Sequence, residues 1–286
     1  AELSKLYMRR YEKTFPGDDA ADQFDAHSRP MLAMLVAARG PLPEAVVEEA
    51  EARYAADAGG GAARRKSTRW KRERKRHLAF VRGMCSGSLA EVGKLQFSHK
   101  SFSDWLVGEG SGDYRVQSAD GHAMLAEACL KRVSAAAADA FRDEYALKHG
   151  VAHLLAASRS AEARALVLEN VAWLMARSGD GLGIMDDCRR LVAAAGEGGD
   201  RAVDLVRRAL DLSMPELRQD PRRLPGQLVG RLMGSGAGSL VAARPAAGVA
   251  ASGGELVQEG GAGSSSSSGG VGGRGGSSSG GSSGGS

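Results

Sequence analysis

Disulfide chemistry is the first thing this sequence lacks. Its 286 residues include three cysteines, Cys85, Cys129 and Cys188. They are odd in number, far apart and form no CxxC pair, which excludes a disulfide framework and a paired-thiolate zinc site. Together with the lack of a secretory leader, this predicts a reducing compartment, the cytoplasm. Long apolar runs are missing as well. No stretch approaches the ~20 residues that cross a bilayer, so no membrane partner is expected. The chain opens on Ala1 rather than Met, and the expectation is a fragment of something longer.

The constellations that carry catalysis are also wanting. A phosphate-cradling loop needs several backbone N–H groups plus a Lys and a Ser or Thr, as in GxxxxGK[ST]. Here Gly93-Lys94 runs on to Leu95, and Arg65-Lys66-Ser67 has no glycines. The alternating glycines at 179, 181 and 183, and at 234, 236 and 238, follow no strand and make no dinucleotide fingerprint. No serine is found in a strand-to-helix elbow such as GxSxG. His149 and His153 are one helical turn apart and suit two metal ligands, but no Glu lies between them and no third ligand is evident. They lie roughly opposite the apolar face of their helix and read as solvated or packing residues. The cysteines fall on apolar faces, where a thiol acts as a small hydrophobe. The expectation is therefore no enzyme, no metal and no cofactor held by this chain alone.

What the sequence does have is helical periodicity. Leu3, Tyr7, Tyr11 and Phe15 share one face of an opening linker helix within residues 1–27. Ser28 and Pro30 start a helix with Leu32, Leu35 and Val36 inward. Pro41-Leu42-Pro43 breaks it, and Pro43 suits the first turn of a helix bearing Val46, Ala50 and Tyr54. After Gly59-Gly60-Gly61 comes a basic stretch that continues into Leu78, Phe80 and Val81. Leu89, Val92, Leu95 and Phe97 then flank Gly93-Lys94, a two-residue hairpin turn. Three helices and a small β-hairpin over 28–107, with a basic insertion at 59–77, predict a winged helix.

Residues 113–233 predict an α-helical array joined by short Gly or Asp breaks. Its apolar faces are Ala126/Cys129/Leu130/Val133, Leu147/Val151/Leu154/Leu155, Val167/Val171/Leu174/Met175 after a Ser160 cap, Ile184/Cys188/Leu191/Val192 and Val203/Val206/Leu210. Ser213-x-x-Glu216 with Pro215 has the form of a capping box. No fixed period names a repeat family. From 234 to 286 the chain is nearly all Gly, Ser and Ala, a composition that cannot offset the entropy of ordering it and predicts a disordered tail. The fold class is mainly α.

Net charge is +4, but residues 64–77 alone hold nine Lys or Arg and one acid, Glu73. They carry +8, so the rest of the chain sums to −4. Arg69, Arg72, Arg74, Lys75 and Arg76, with Trp70 for stacking, are candidate phosphate contacts for a nucleic acid, or a nuclear import signal. The same run also reads as a solvated loop insertion.

At residues 95–106, LQFSHKSFSDWL, the chain resembles the end of the winged-helix domain of NACHT-type signalling NTPases, the STAND class. The segment His99-Lys100-Ser101-Phe102-Ser103-Asp104-Trp105-Leu106 is the most specific part. Arg39-Gly40-Pro41-Leu42-Pro43, GHAMLAEACL at 121–130, YALKHGVAHLL at 145–155 and LPGQLVGRL at 224–232 are similar to the same context. The resemblance implies that His99 contacts an ADP phosphate when an NTPase domain is present, although Lys100 stands where relatives carry Asp. A second reading makes His99 a histidine that ties wing to helix. Phe102, Trp105 and Leu106 read as core anchors. The function implied is a non-catalytic regulatory or scaffolding module, coupling an ATP- or ADP-binding domain on its N-terminal side to partner-binding repeats. The alternative is a nucleic-acid-binding winged helix that uses 64–77.

Overall fold

Aromatic residues four apart begin the fold. In the computed structural model, which describes residues 2–17, 20–57, 68–135, 143–179 and 181–233, helix α1 spans Glu2–Thr14. Tyr11 and Phe15, one turn apart, are both buried at 2% exposure, as helical spacing requires. Helix α2 (Ala20–Gln23) runs into a π-helical turn, Phe24–Ser28, and then into α3 (Arg29–Ala37). The wider turn brings Phe24, His27 and Ser28 inward together. Pro30 lies in the first turn of α3, directly after the π-helical turn, where the Arg29 N–H reaches back five residues to the Phe24 carbonyl.

Strand β1 (Leu42–Pro43), helix α4 (Glu44–Asp57) and helix α5 (Thr68–Arg82) follow. The basic residues from 68 onward are therefore one continuous helix rather than a loop insertion. Its apolar residues supply the reason, since Val81 is fully buried and Leu78 and Phe80 pack on the core. Residues 58–67, the first part of the expected insertion, lie outside the described residues.

The expected hairpin about Gly93-Lys94 is corrected. Residues Gly87–Glu91 form a short helix, α6, and Gly93 (φ +70°) closes it in a conformation that favours glycine. Strand β2 (Lys94–Leu95) then pairs antiparallel with β1, Leu42 opposite Leu95 and Pro43 opposite Lys94. On its other side the same segment meets Cys85, which bridges Phe97. Ser86 N donates to the Gln96 carbonyl and Ser98 N to the Met84 carbonyl. The ribbon arms are thus 84–86 and 94–98, with α6 at the tip, and Leu89 belongs to the tip. Leu42 and Leu95 are wholly buried, so burying that pair sets the register.

Helix α7 (Lys100–Val107) and a 3₁₀ segment, Glu109–Tyr114, lead to α8 (Ser118–Ala135). The rest is helical: α9 (Glu144–Ala156), α10 (Ser160–Glu169), α11 (Val171–Ser178), α12 (Gly181–Ala194), α13 (Arg201–Leu217) and α14 (Leu224–Leu232). The side chains of Asp143, Asn170 and Asp200 cap α9, α11 and α13 by accepting from backbone N–H groups.

Three local expectations fail here. Asn170 interrupts what periodicity suggested was one helix through Val167 and Val171, because its Oδ1 captures the Trp173 N–H and starts a new helix. Ser160 caps nothing; Arg159 holds the N-cap position. Likewise Ser213 opens no capping box. Its hydroxyl donates back to the Ala209 carbonyl, and α13 continues through Pro215 to its end two residues later.

The described residues form one compact unit. Its seam is the crossing of α3 and α8. A Cβ on Gly121 would fall inside the van der Waals envelope of the Ala33 carbonyl and 2.8 Å from the Ala37 Cβ. Only glycine lets the two backbones approach this closely. The expected tail at 234–286 lies outside the described residues.

Candidate functional site

The segment His99 to Leu106 is built by packing on one side. Phe102 and Leu106 are buried at 4% and 1%, one turn apart on α7. Phe102 meets the Tyr7 ring of α1 at 4.7 Å and the Phe97 ring of the ribbon at 5.2 Å. Trp105 stacks on Phe102 at 5.7 Å, meets Tyr7 at 5.3 Å, and donates its Nε1–H to the Gly110 carbonyl at 3.3 Å. These three side chains join α1, the ribbon and the loop after α7. His99 is at the N-cap position of α7, with extended backbone and an exposed side chain that makes no capping hydrogen bond. Such an imidazole has both ring nitrogens available to solvent or to an anion.

The basic residues of α5 divide into two sets. Arg74 is inward: its guanidinium gives Glu51 two hydrogen bonds, at 2.9 and 2.5 Å, and lies 3.5 Å from Glu48. Arg76 donates to the Thr14 carbonyl and covers the Phe15 ring. Both tie α5 to neighbouring elements. Lys71, Arg72 and Lys75 are exposed. The Arg69 side chain lies outside the described residues. Glu73 turns toward His27, 3.7 Å away, and Trp70 lies half-buried with its ring 5.6 Å from that imidazole.

Two buried histidine clusters went unforeseen. Under α5, His77 stacks on Phe15 at 4.0 Å, lies 5.1 Å from His27, and shares a 2.6 Å hydrogen bond between Nδ1 and the Ser28 hydroxyl. Its Nε2 has no partner among the described residues. Burial, then the neighbouring His27, push its pKa down to about 3. Between α8 and α9, His153 bonds His122 Nδ1 at 2.9 Å and the Tyr145 hydroxyl at 3.0 Å. Burial, then His122, hold it down at about 3. His153 is fully buried and His149 half-buried, so of the solvated and packing readings the packing one applies. No group of three or more His, Cys, Asp or Glu that could hold a metal occurs among the described residues. The i, i+4 spacing of His149 and His153 was the visible signal; the partner across α8 was not.

A further polar pair is buried in the array. Arg177 of α11 donates to Asp187 of α12 at 2.9 Å, and the two are 4% and 1% exposed. A Cβ on Gly183 would lie inside the guanidinium, and one on Gly181 would meet Met214 Sδ at 2.7 Å. These glycines make room for neighbouring side chains. Burial raises the Asp187 pKa against the pull of Arg177.

A cleft of about 480 Å³ opens between the ribbon and α9, lined by Pro41, Pro43, Lys94, Asp143, Tyr145 and His149 among others. Its acids are already engaged. Asp143 holds Arg132 and caps α9, and Glu144 takes Lys148 at 2.6 Å. Comparison with protein families, with curated proteins and with solved structures returns no match to this chain.

Proposed function

We propose that this chain is a non-catalytic regulatory module of a NACHT-like signalling NTPase. In this reading α3, α4 and α5 with the ribbon are a winged helix, and α8 to α14 are the helical arm beyond it. The module couples an ATP- or ADP-binding domain on its N-terminal side to partner-binding repeats beyond its arm, in the cytoplasm. The observation that carries the proposal is the pairing of two features. HKSFSDWL anchors α7 through Phe102 and Trp105 while leaving His99 at the surface. The close α3–α8 crossing at Gly121 then joins that unit rigidly to the arm. A joint held by backbone contact passes on a displacement that flexible side chains would absorb.

On this reading His99 donates a ring N–H to a phosphate oxygen of bound ADP, and the chain itself does no chemistry. The test is 5′ mapping of the transcript with the intact mass of the endogenous protein. A P-loop translated in frame ahead of Ala1 supports the reading, and in that protein His99→Ala speeds ADP release. A native start at this chain's first residues, with no such segment, overturns it.

A further inference from the structure

Two cationic helices lie side by side. Helix α1 runs antiparallel along α5: the Phe15 ring stacks on His77, Tyr11 meets Phe80 at 5.3 Å, and Arg10 donates to the Gly83 carbonyl. The exposed side chains of α1 include Lys5, Arg9, Arg10 and Lys13. Those of α5 include Lys71, Arg72 and Lys75, one helical turn or less apart. Arg76 marks the edge where the rows meet, because it reaches the carbonyl of Thr14, the neighbour of Lys13. The one acid of α5, Glu73, faces His27 and does not interrupt the row.

We propose that Lys71, Arg72 and Lys75 of α5, with Arg9 and Lys13 of α1, form a surface that binds the phosphate backbone of duplex DNA without reading its sequence. Bare cations on a rigid helix gain affinity by releasing counterions from a dense row of phosphates. The face offers no stacking platform, since Trp70 is half-buried against His27; single strands, which depend on such stacking, fit poorly. It offers little to a bilayer, the exposed large apolar side chain nearby being Leu6 of α1. A face two helices wide is broader than the about 12 Å major groove, so it lies across the phosphates of a B-form duplex rather than inside a groove. The site excludes Arg74 and Arg76, which the sequence ranks equally with the rest.

The experiment is fluorescence anisotropy of a labelled DNA duplex with the full chain, titrated at several salt concentrations between about 50 and 200 mM. With about five phosphates neutralised, one for each named cation, log K falls against log salt with a slope of about −4.5. Arg72→Gln with Lys75→Gln makes that slope shallower by about 1.8 and weakens low-salt binding at least about tenfold. Both residues are exposed, so circular dichroism of the variant should match the parent. Arg189→Gln with Arg208→Gln removes the same charge from α12 and α13 and should leave the slope intact. The proposal is overturned by no binding or by equal loss in the two double variants. It is equally overturned if a single strand, duplex RNA or phosphatidylserine vesicles bind as tightly as duplex DNA.

Discussion

Replacing Gly121 with alanine tests the seam of the molecule. In an exposed helix interior this change stabilises by about 1 kcal/mol, through backbone entropy and helix propensity. Gly121 lies in α8 against α3, and the new methyl would overlap the Ala33 carbonyl and press on the Ala37 Cβ. The opposing atom is main chain in the middle of a helix whose residues 30–35 are buried, so no rotamer change relieves the contact. Overpacking of this kind costs about 1–3 kcal/mol and more where backbone must move. Set against the propensity gain, the net loss for Gly121→Ala should be about 2 kcal/mol, rising for Gly121→Val. At this chain length that is a fall of roughly 4–8 °C in Tm. Denaturant unfolding followed by circular dichroism reads it as a lower midpoint at unchanged slope. Gly226→Ala and Gly230→Ala in α14 are the controls, because a Cβ at either meets nothing within 4 Å; they should be neutral or stabilising. Should Gly121→Ala match the parent or exceed it, the close crossing of α3 and α8 is wrong, and rigid coupling falls with it.

Two buried histidines make the fold sensitive to acid below pH 6.5. His77 and His153 are buried neutral with pKa values lowered to about 3, so the unfolded chain takes up protons near pH 6.5 that the folded chain refuses. The stability they contribute is complete above pH 6.5 and is lost as pH falls toward 3, at up to about 1.4 kcal/mol per pH unit for each. Burial raises Glu51 and Asp187 to about 7 and 6, and they titrate with the opposite sign in this window, so the contribution is read by difference: a His77→Gln, His153→Gln variant whose unfolding free energy follows pH from 6.5 to 5 as the parent's does would contradict this. Gly183→Ala should expel the Arg177 guanidinium from Asp187 and cost about 3 kcal/mol, by stranding a buried carboxylate. The double change Arg177→Met with Asp187→Leu should cost far less, and equal losses in urea melts would refute the pairing. Burial raises the thiols of Cys85, Cys129 and Cys188 to about 11, 12 and 12. Mass spectrometry after brief iodoacetamide treatment at pH 8 should find none modified in the folded chain and all three in denaturant.

Periodicity carried the helices well where one face is apolar. Val46, Cys129, Val151, Leu154, Ile184, Cys188, Val203 and Leu210 were all placed on apolar helix faces, and each is buried. It misjudged places where a side chain competes for the backbone. Asn170 splits α10 from α11 by taking the Trp173 N–H, and no apolar pattern reports such a capture. The ribbon was legible as an event but not in its pairing, because Leu42 and Leu95 find each other across 53 positions of chain. Within the candidate site, Phe102 and Leu106 announced their burial by spacing. Arg74 did not, since its partner Glu51 lies on another helix, and a run of cations looks the same whether its members are paired or bare.

Local physics therefore settled most of the helical segments, α6 and the break at Asn170 apart, and that the chain folds as a mainly helical body. Those outcomes depend on near neighbours and on the 3.6-residue repeat. Assembly alone decided which histidines go dry, which arginines of α5 are consumed as struts, and that Gly121 is a contact point. Each of those depends on an atom from a remote segment, and a sequence read along its length does not say which remote segment arrives.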